Sequence, residues 1–291
     1  MLRREEIELP PHELGEALPE DHDRHRLGRL LVRTWNLFHG NSVPRGRRAH
    51  LEEMVRLVTA DSPDVVCLQE VPVWALGRLG GWSGMTEVAD VAARPRLGKR
   101  PGRLVSAIHH GFFRSSLAGQ ANAILLAPRL HALERRRFVL NPRRFRRDCA
   151  GALRLGVRAR LRWARERRIC QAVRIERSGA TTLVVANLHA TNHPDRRVPA
   201  AEVRRAALFT LGFARPGEPR LLAGDFNISL TSETLHELMR APFGYSGAGP
   251  GIDHVLVAGA PASAPEVWPV ERRAAAGRVL SDHAPVEVRL R

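Results

Sequence analysis

The stretch LLAGDFNIS, residues 221–229, combines the end of a buried strand with reactive side chains. Its first four residues are apolar or glycine, which is typical of a strand that ends inside a core. Asp225 and Asn227 follow directly, two residues apart and therefore on the same side. A buried carboxylate or amide is costly unless it binds another polar group, a metal or a ligand. We therefore interpret this stretch as a rigid strand that presents two polar side chains to a functional site.

Polar side chains also stand at the ends of five other strand-like runs. These runs are RLLVRTWNLF (29–38), DVVCLQEV (64–71), TTLVVANLHAT (181–191), IDHVLVAGA (252–260) and HAPVEVRLR (283–291). In the same order, they supply Asn36; Gln69 and Glu70; Asn187 and His189; Asp253 and His254; and Ser281, Asp282 and His283. Because each buried polar group needs a partner, six such strand ends favour one shared cleft.

The order of strands and helices predicts the fold class. Two more runs, ANAILLAP (121–128) and RICQAVRIE (168–176), are strand-like in their β-branched content. Long helices are predicted at residues 47–63 and 199–214. Strands interleaved with so few long helices indicate an α/β layered fold with mixed sheets. We assign residues 29–291 to this domain and residues 1–28, rich in proline and charge, to a polar and poorly ordered leader.

A basic segment at residues 129–167 carries most of the net positive charge. The formal net charge is +16, and residues 129–168 contain 15 arginines against three acidic residues. Such a segment suggests contact with nucleic acid or an anionic lipid surface. The alternative is a solvated face in a chain that uses arginine almost everywhere in place of lysine. Within it, LRLGVRARLRW (153–163) fits both strand and helix periodicity, and we favour a helix inserted before the strand at 168.

Composition bears on the cellular compartment. No run reaches about 18 apolar residues, and the first residues lack the apolar centre of a signal peptide. The expectation is a soluble, cytoplasmic protein with no transmembrane segment and no obligate protein partner. Three cysteines, Cys67, Cys149 and Cys170, show no metal-type spacing and are expected to be buried thiols in a reducing compartment.

The side chains at the strand ends restrict the chemistry of the cleft. Glu70, Asp282 and Asn36 offer hard oxygen ligands, which suit Mg²⁺ or Mn²⁺ better than structural zinc. Histidines titrate near neutral pH, and a carboxylate such as Asp225 can orient or deprotonate a water molecule. These are the components needed for attack of water on a phosphorus centre.

Six short motifs occur in the order seen in the endonuclease/exonuclease/phosphatase superfamily. They are TWNL with Asn36, LQE with Glu70, NLHAT with Asn187 and His189, GDFN with Asp225 and Asn227, GIDH with Asp253, and SDHAPV with Asp282 and His283. From about residue 30 to its end, the chain resembles this deoxyribonuclease I-like group. The resemblance implies a four-layered α/β sandwich, in which two mixed β-sheets pack face to face with helices outside. It also implies a metal-dependent phosphodiesterase or phosphatase site.

The resemblance further implies which residues bind the metal ion, the attacking water and the phosphate. Glu70 corresponds to the principal ligand of Mg²⁺, with Mn²⁺ as a possible substitute, and Asn36 and Asp282 assist it. Asp225 would position the attacking water, and Asn227 would contact the phosphate.

The remaining motif residues would act on the substrate. His283 corresponds to the histidine that contacts the scissile phosphate, and Asp253 would support a histidine of the pair. His189 stands where deoxyribonuclease I and the sphingomyelinases have a second histidine. Asn122, in GQANAILL, and Asn187 are candidate substrate-binding residues, although Asn122 could also cap a strand.

Three functions therefore remain open. The favoured one is an endonuclease-type phosphodiesterase acting on DNA. The first alternative is a phosphoesterase for a phospholipid or a small phosphoester, with peripheral contact to anionic lipid. The second is a non-catalytic member of the same fold that binds an anionic partner through residues 129–168.

Overall fold

Two mixed β-sheets and a small third sheet organise the chain. The computed structural model describes residues 29–94, 119–176 and 182–291, so the expected leader at residues 1–28 lies outside the described residues. The strands are β1 (Leu30–Asn36), β2 (Ser42–Val43), β3 (Val65–Val71), β4 (Thr86–Ala93), β5 (Gln120–Leu126), β6 (His131–Val139), β7 (Ile169–Glu176), β8 (Leu183–His189), β9 (Arg220–Asp225), β10 (Asp253–Ala258), β11 (Glu266–Val267), β12 (Ala274–Ala275), β13 (Arg278–Leu280) and β14 (Val286–Leu290). The helices are α1 (Leu51–Thr59), α2 (Leu79–Ser83), α3 (Arg143–Ala152), α4 (Val157–Ala164), α5 (Arg197–Phe213) and α6 (Glu233–Leu238).

The sheets have the mixed topology that the sequence predicts. One sheet has six strands in the order β11-β14-β1-β3-β5-β4, and the other has five in the order β10-β9-β8-β7-β6. Strands β1 and β3 are parallel, as are β8 and β9, whereas the other described pairs in these two sheets are antiparallel. Parallel neighbours place their carboxyl ends at the same edge of a sheet, which brings the motif residues of β1 and β3 together, and likewise those of β8 and β9.

A shared apolar core joins the faces of the two large sheets. Val32 of β1 and Leu68 of β3 belong to the same buried cluster as Val185 of β8 and Leu221 of β9. The side chains of α1 that point inward at helical spacing, Met54 among them, are fully buried in that cluster. Burial of each large aliphatic side chain stabilises the fold by about 1.5–3 kcal/mol.

A second apolar cluster lies on the other face of the five-stranded sheet. There Val203 and Ala207 of α5 pack against Val184 of β8 and Leu222 of β9. Helices therefore flank both sheets, and the predicted four-layered α/β sandwich is confirmed.

Gly224, the glycine of GDFN, allows β8 and β9 to approach closely. Its φ is +137°, and a Cβ atom built there would lie 1.9 Å from the backbone oxygen of Leu188 on the parallel neighbour. No side chain fits in that space, so only glycine is compatible with this backbone. Asp225 is consequently held at the end of β9, directly beside His189 at the end of β8.

The helix predicted before the strand at 168 is present, as α3 and α4, but the first part of the basic segment is a strand. Residues 131–139 form β6, which pairs with β7 at the edge of the five-stranded sheet, and only then follow α3 and α4. Most side chains of β6 are exposed, so its arginines remain in water and leave no apolar alternation to identify a strand. Strand β4 also escaped the sequence interpretation. All three cysteines are free; Cys67 and Cys170 are buried as expected, whereas Cys149 is only partly buried.

Candidate active site

A cavity of about 490 Å³ opens where the strand ends of both sheets meet. Six of the predicted site residues line it: Glu70, His189, Asp225, Asn227, Asp282 and His283. Asn36 and Asp253 are buried directly behind these side chains and hydrogen-bond to them. The structure therefore brings together residues from strand ends that are far apart in the sequence.

Glu70 leaves the regular strand geometry at a β-bulge. The register of β3 with β5 shifts between Leu68 and Val71, and Glu70 has a φ of +52°. A bulge redirects a side chain away from the pleat, and here it turns the carboxylate into the cavity. Its Oε2 atom lies 3.2 Å from Nε2 of His39, and its Oε1 atom lies 3.9 Å from Nε2 of His189.

Asp225 is a buried carboxylate held by amide groups. Asn36 Nδ2 donates a 3.0 Å hydrogen bond to Oδ2, and the backbone N–H of Asn227 donates a 3.0 Å bond to Oδ1. Burial raises the pKa of Asp225 to about 7, and the negative charge of Asp253 adds to this, while His283 and Asn36 oppose it. A carboxylate with a pKa near neutrality is suited to accept a proton from water.

His283 and Asp253 form a hydrogen-bonded pair at the edge of the cavity. Nδ1 of His283 lies 2.7 Å from Oδ2 of Asp253, while its Nε2 lies 3.9 Å from Oδ2 of Asp225. Burial lowers the pKa of His283, but the hydrogen bond and charge of Asp253, aided by Asp225 and Asp282, outweigh it and raise this pKa to about 10. The imidazolium of His283 is therefore the form present at neutral pH. Ser281 fixes the turn that precedes His283, because its hydroxyl accepts a hydrogen bond from the backbone N–H of His283 and donates one to the carbonyl of Asn36.

His189 has the opposite electrostatic environment. It is buried, and Nη1 of Arg168 lies 2.8 Å from its Nδ1 atom and 3.1 Å from its Nε2 atom. Burial and the nearby positive charges, Arg168 first, hold the pKa of His189 well below its ordinary value. His189 is therefore neutral, with Nε2 at 3.4 Å from Oδ2 of Asp225.

The two candidate substrate-binding asparagines do not line the cavity. Asn187 donates to the carbonyls of Leu68 and Ala123 at 3.0 and 2.9 Å and accepts from Gln69 at 2.8 Å, so its amide links the two sheets. Asn122 donates to the carbonyl of Ile169 at 3.3 Å, also across the sheets. The substrate contacts expected for both residues gain no support from these positions.

The match to a family model decides the relationship. The model described as the endonuclease/exonuclease/phosphatase family matches residues 34–283, which include every site residue named with the six motifs, from Asn36 to His283. This chain belongs to the endonuclease/exonuclease/phosphatase family. Members of this family hydrolyse phosphoric esters, and the resemblance inferred from the motifs is confirmed.

Solved structures of family proteins have the same fold. An endonuclease/exonuclease/phosphatase from Beutenbergia cavernae matches with a TM-score of 0.65 and 19% identity, over 90% of this chain and 71% of the other. A Bacteroides vulgatus family member matches with a TM-score of 0.63 and 16% identity, over 90% of this chain and 98% of the other. A humanized D. rerio TDP2 matches with a TM-score of 0.61 and 13% identity, over 91% of this chain and 99% of the other. No curated protein matches the chain.

Within the described ranges, no helix is long and apolar enough to cross a membrane.

The donor atoms fit the divalent metal that this family generally uses. Glu70 and Asp282 both line the cavity with carboxylate oxygens, and the Asn36 amide lies beneath it, so the set offers hard oxygen ligands. Ligand atoms of Asp225, Asp253 and His283 also lie within 4.8 Å of one another. Asp253 already accepts a hydrogen bond from His283 Nδ1. We therefore interpret Asp225, Asp253 and His283 as the residues that transfer protons. Glu70, Asp282 and Asn36 are interpreted as the metal-binding residues.

Two cavity residues that contact predicted site residues were not identified from the sequence. His39 is buried, lies in the left-handed region with a φ of +56° and contacts Glu70; its signal was the sequence NLFHG, three residues after Asn36. Arg168 is buried against His189 and forms an ion pair with Glu166. It was one of 15 arginines in a short segment, and nothing local distinguishes it from the others.

Proposed function

We propose that this protein is a metal-assisted phosphodiesterase in which water attacks phosphorus. The observation that carries the proposal is the position of Asp225. Its carboxylate lies between the neutral His189 and the charged His283–Asp253 pair, and it shares a cavity with Glu70. This arrangement supplies a base, a cationic donor and hard oxygen ligands in one place.

The metal side of the site would be formed by Glu70, Asp282 and Asn36. A bound Mg²⁺, or Mn²⁺ in its place, supplies Lewis-acid polarisation of a phosphoryl oxygen. His39 contacts Glu70 through Nε2 and orients the carboxylate. We assign His39 as a positioning residue.

The protein's own groups handle the proton and the developing charge. Asp225 accepts a proton from the attacking water as the new O–P bond forms. The leaving oxygen departs with the electron pair of its bond to phosphorus and takes a proton from solvent. His283 donates a hydrogen bond from Nε2 to a phosphoryl oxygen, where negative charge develops. Asn227 donates one amide hydrogen to the carbonyl of Ala190 at 3.0 Å, and its second amide hydrogen is assigned to the phosphate.

DNA is the substrate we propose first. The name of the family includes nucleases, and the cavity wall carries Arg45, Arg162 and Arg165, which suit a phosphate backbone. A cytoplasmic location fits this substrate and remains a prediction. All the catalytic and metal-binding positions of the motifs are occupied by the expected residues, which disfavours a protein that only binds an anionic partner.

A phospholipid substrate is the second candidate because of the exposed face of α4. Val157 and Leu161, one helical turn apart, are 73% and 63% exposed, and arginines surround them. Exposed aliphatic side chains beside arginines are typical of helices that lie in a membrane surface.

The test is hydrolysis of supercoiled plasmid DNA and of bis-p-nitrophenyl phosphate in parallel, with and without Mg²⁺. The proposal predicts cleavage of both substrates that requires the metal and that disappears in Glu70→Ala. Hydrolysis of the small ester alone would retain the mechanism and exclude DNA. Glu70→Ala with wild-type activity would contradict the assignment of the metal side.

A further inference from the structure

A second groove adjoins the catalytic cavity. Its volume is about 1020 Å³, and it lies between β4 with the preceding turn and the carboxyl end of α4. Arg165 lines both the catalytic cavity and this groove, so its side chain lies at the boundary between the two. The groove is therefore close enough to receive a ligand chain that extends from the catalytic cavity past Arg165.

Arginine side chains give the groove a positive charge. Among the described residues, Arg94, Arg137, Arg165 and Arg167 line it, together with one carboxylate, that of Asp90. In the described part of the chain, none of the four guanidinium groups forms an ion pair with a carboxylate. Arg174, on the neighbouring strand β7, instead bonds both Glu134 and Glu218. Asp90 interacts electrostatically with Arg137, but one carboxylate against four guanidinium groups leaves the described lining with a net positive charge.

The α4 side of the groove, which carries Arg165 and Arg167 directly after the helix, is attached to the catalytic cavity by buried hydrogen bonds. Trp163 of α4 is buried, and its indole N–H donates a 2.6 Å hydrogen bond to Glu202 of α5. Glu202 also accepts the backbone N–H of Thr191 at 2.6 Å and its hydroxyl at 2.8 Å. Because Thr191 lines the catalytic cavity, one buried carboxylate connects the arginine-bearing helix to the site of reaction.

The floor of the groove is apolar. Val73, Leu76, Ala89 and Val91 contribute to it, between the arginine walls. A ligand that combines regularly spaced anions with apolar surface satisfies both parts of the groove. The sugar-phosphate backbone of a nucleic acid has this composition, because phosphates alternate with sugars and bases.

We propose that the groove binds the continuation of a nucleic-acid strand whose scissile phosphodiester lies in the catalytic cavity. The proposal rests on the proposed phosphodiesterase function and specifies its substrate. Arg165 contacts the phosphate nearest the scissile group, and Arg137 and Arg167 contact the phosphates beyond it. The arginines of the inserted segment 129–167 thereby obtain a defined role in substrate selection.

The experiment compares two double variants that remove the same charge. Arg137→Ser/Arg167→Ser removes two guanidinium groups from the groove, whereas Arg144→Ser/Arg147→Ser removes two from the exposed face of α3. The dissociation constant of a fluorescein-labelled single-stranded 12-nucleotide DNA is measured by anisotropy in EDTA at several salt concentrations. Binding is thus measured without cleavage.

The groove variant should bind the oligonucleotide roughly tenfold more weakly at about 100 mM salt. Its plot of log affinity against log salt should be shallower by about 1.4, the value for two lost contacts to a single strand. The α3 variant should retain wild-type binding within about twofold. Equal losses in the two variants, or no loss in the groove variant, would overturn the proposal.

Substitution of Asp90 should change the affinity for the oligonucleotide in the opposite direction. Asp90→Asn removes the only described carboxylate of the groove and should tighten oligonucleotide binding by about two- to fivefold. Weaker or unchanged binding would contradict the proposal.

Two further measurements separate this inference from the alternatives. Turnover of bis-p-nitrophenyl phosphate should be unchanged in the α3 variant, because Arg144 and Arg147 line neither the catalytic cavity nor the groove. If wild type lacks this activity but the two double variants still differ in DNA binding, the catalytic proposal fails while the groove assignment stands. If the groove variant loses binding to phosphatidylglycerol vesicles but not to DNA, the groove serves lipid and the inference is overturned.

Discussion

Asn36 donates a 3.0 Å hydrogen bond to Asp225 from the opposite sheet. Asn36 is the last residue of β1 in the six-stranded sheet, and Asp225 is the last residue of β9 in the five-stranded sheet. The distance between the metal side and the proton-accepting carboxylate is therefore set by how the two sheets pack. Small disturbances of that packing should affect catalysis even at residues that do not touch the substrate.

Gly224 offers a direct test of this dependence on packing. A methyl group at residue 224 would meet the carbonyl of Leu188 at 1.9 Å, so β8 and β9 would have to separate. Gly224→Ala should destabilise the protein by at least about 3 kcal/mol, measured by urea unfolding, because steric overlap adds to an unfavourable φ.

Gly217→Ala is the matched control for this variant. Gly217 also has a positive φ, +76°, but a Cβ atom there has no neighbour within 4 Å. Its loss should be limited to the backbone cost of about 1–2 kcal/mol. Equal destabilisation by the two substitutions would contradict the close-approach argument.

The predicted site residues were accessible to sequence analysis because each one stands at an end of a strand-like apolar run. Asp225 and Glu70 are conspicuous since carboxylates are rare at the ends of core strands. His39 and Arg168 could not be recognised in this way, because their contacts with Glu70 and His189 arise only when strands distant in the sequence come together.

The local pattern did not identify strand β6. It lies at a sheet edge, where solvated arginines replace the alternation that identifies a strand. The position in the tertiary structure, and not the local sequence, therefore determines its conformation. The substrate role expected for Asn187 stays a prediction; in the structure its amide links the two sheets.

Metal binding should be visible as added stability. A ligand that binds only the folded state at a hundred times its dissociation constant stabilises it by about 2.7 kcal/mol. We therefore expect Mg²⁺ to raise the melting temperature of the wild type by several degrees over NaCl at equal ionic strength. Glu70→Gln, which keeps the shape and removes the charge, should lose most of this shift. A full shift in Glu70→Gln would show that the ion binds elsewhere.

The proton of His283 is expected to persist to unusually high pH in the metal-free protein. Its pKa of about 10 lies above the ordinary 6.5 because of Asp253. The imidazole resonance followed by NMR in EDTA should titrate near pH 10 in the wild type and at lower pH in Asp253→Asn. Titration of the wild type near 6.5 would contradict the pairing.

The same pair makes stability depend on pH. Since the folded protein holds this proton more tightly than the unfolded chain, the pair stabilises the fold fully below pH 6.5. The contribution is lost as pH rises through about 10. Urea unfolding of metal-free protein at pH 6 and pH 10 should therefore show a larger loss for the wild type than for Asp253→Asn.

Arg168 should control the charge state of His189. Burial lowers the pKa of His189 and the guanidinium of Arg168 lowers it further, so Arg168→Met should raise this pKa in an NMR titration and reduce turnover. Arg167→Met removes the exposed neighbouring charge and is the matched control; it should leave both the pKa of His189 and the hydrolysis of a small ester unchanged. Identical titrations in the two variants would exclude the proposed contact.

Turnover of bis-p-nitrophenyl phosphate at saturating Mg²⁺ by Asp225→Asn tests the central claim most directly. The matched control is Asp195→Asn, which alters a carboxylate that bonds Arg197 and does not line the cavity. If Asp225 activates water beside His283, its variant should lose at least about a hundredfold in kcat with an unchanged circular dichroism spectrum, and His283→Ala should do the same. The control should keep wild-type turnover. A folded Asp225→Asn protein within about threefold of wild type would contradict the account.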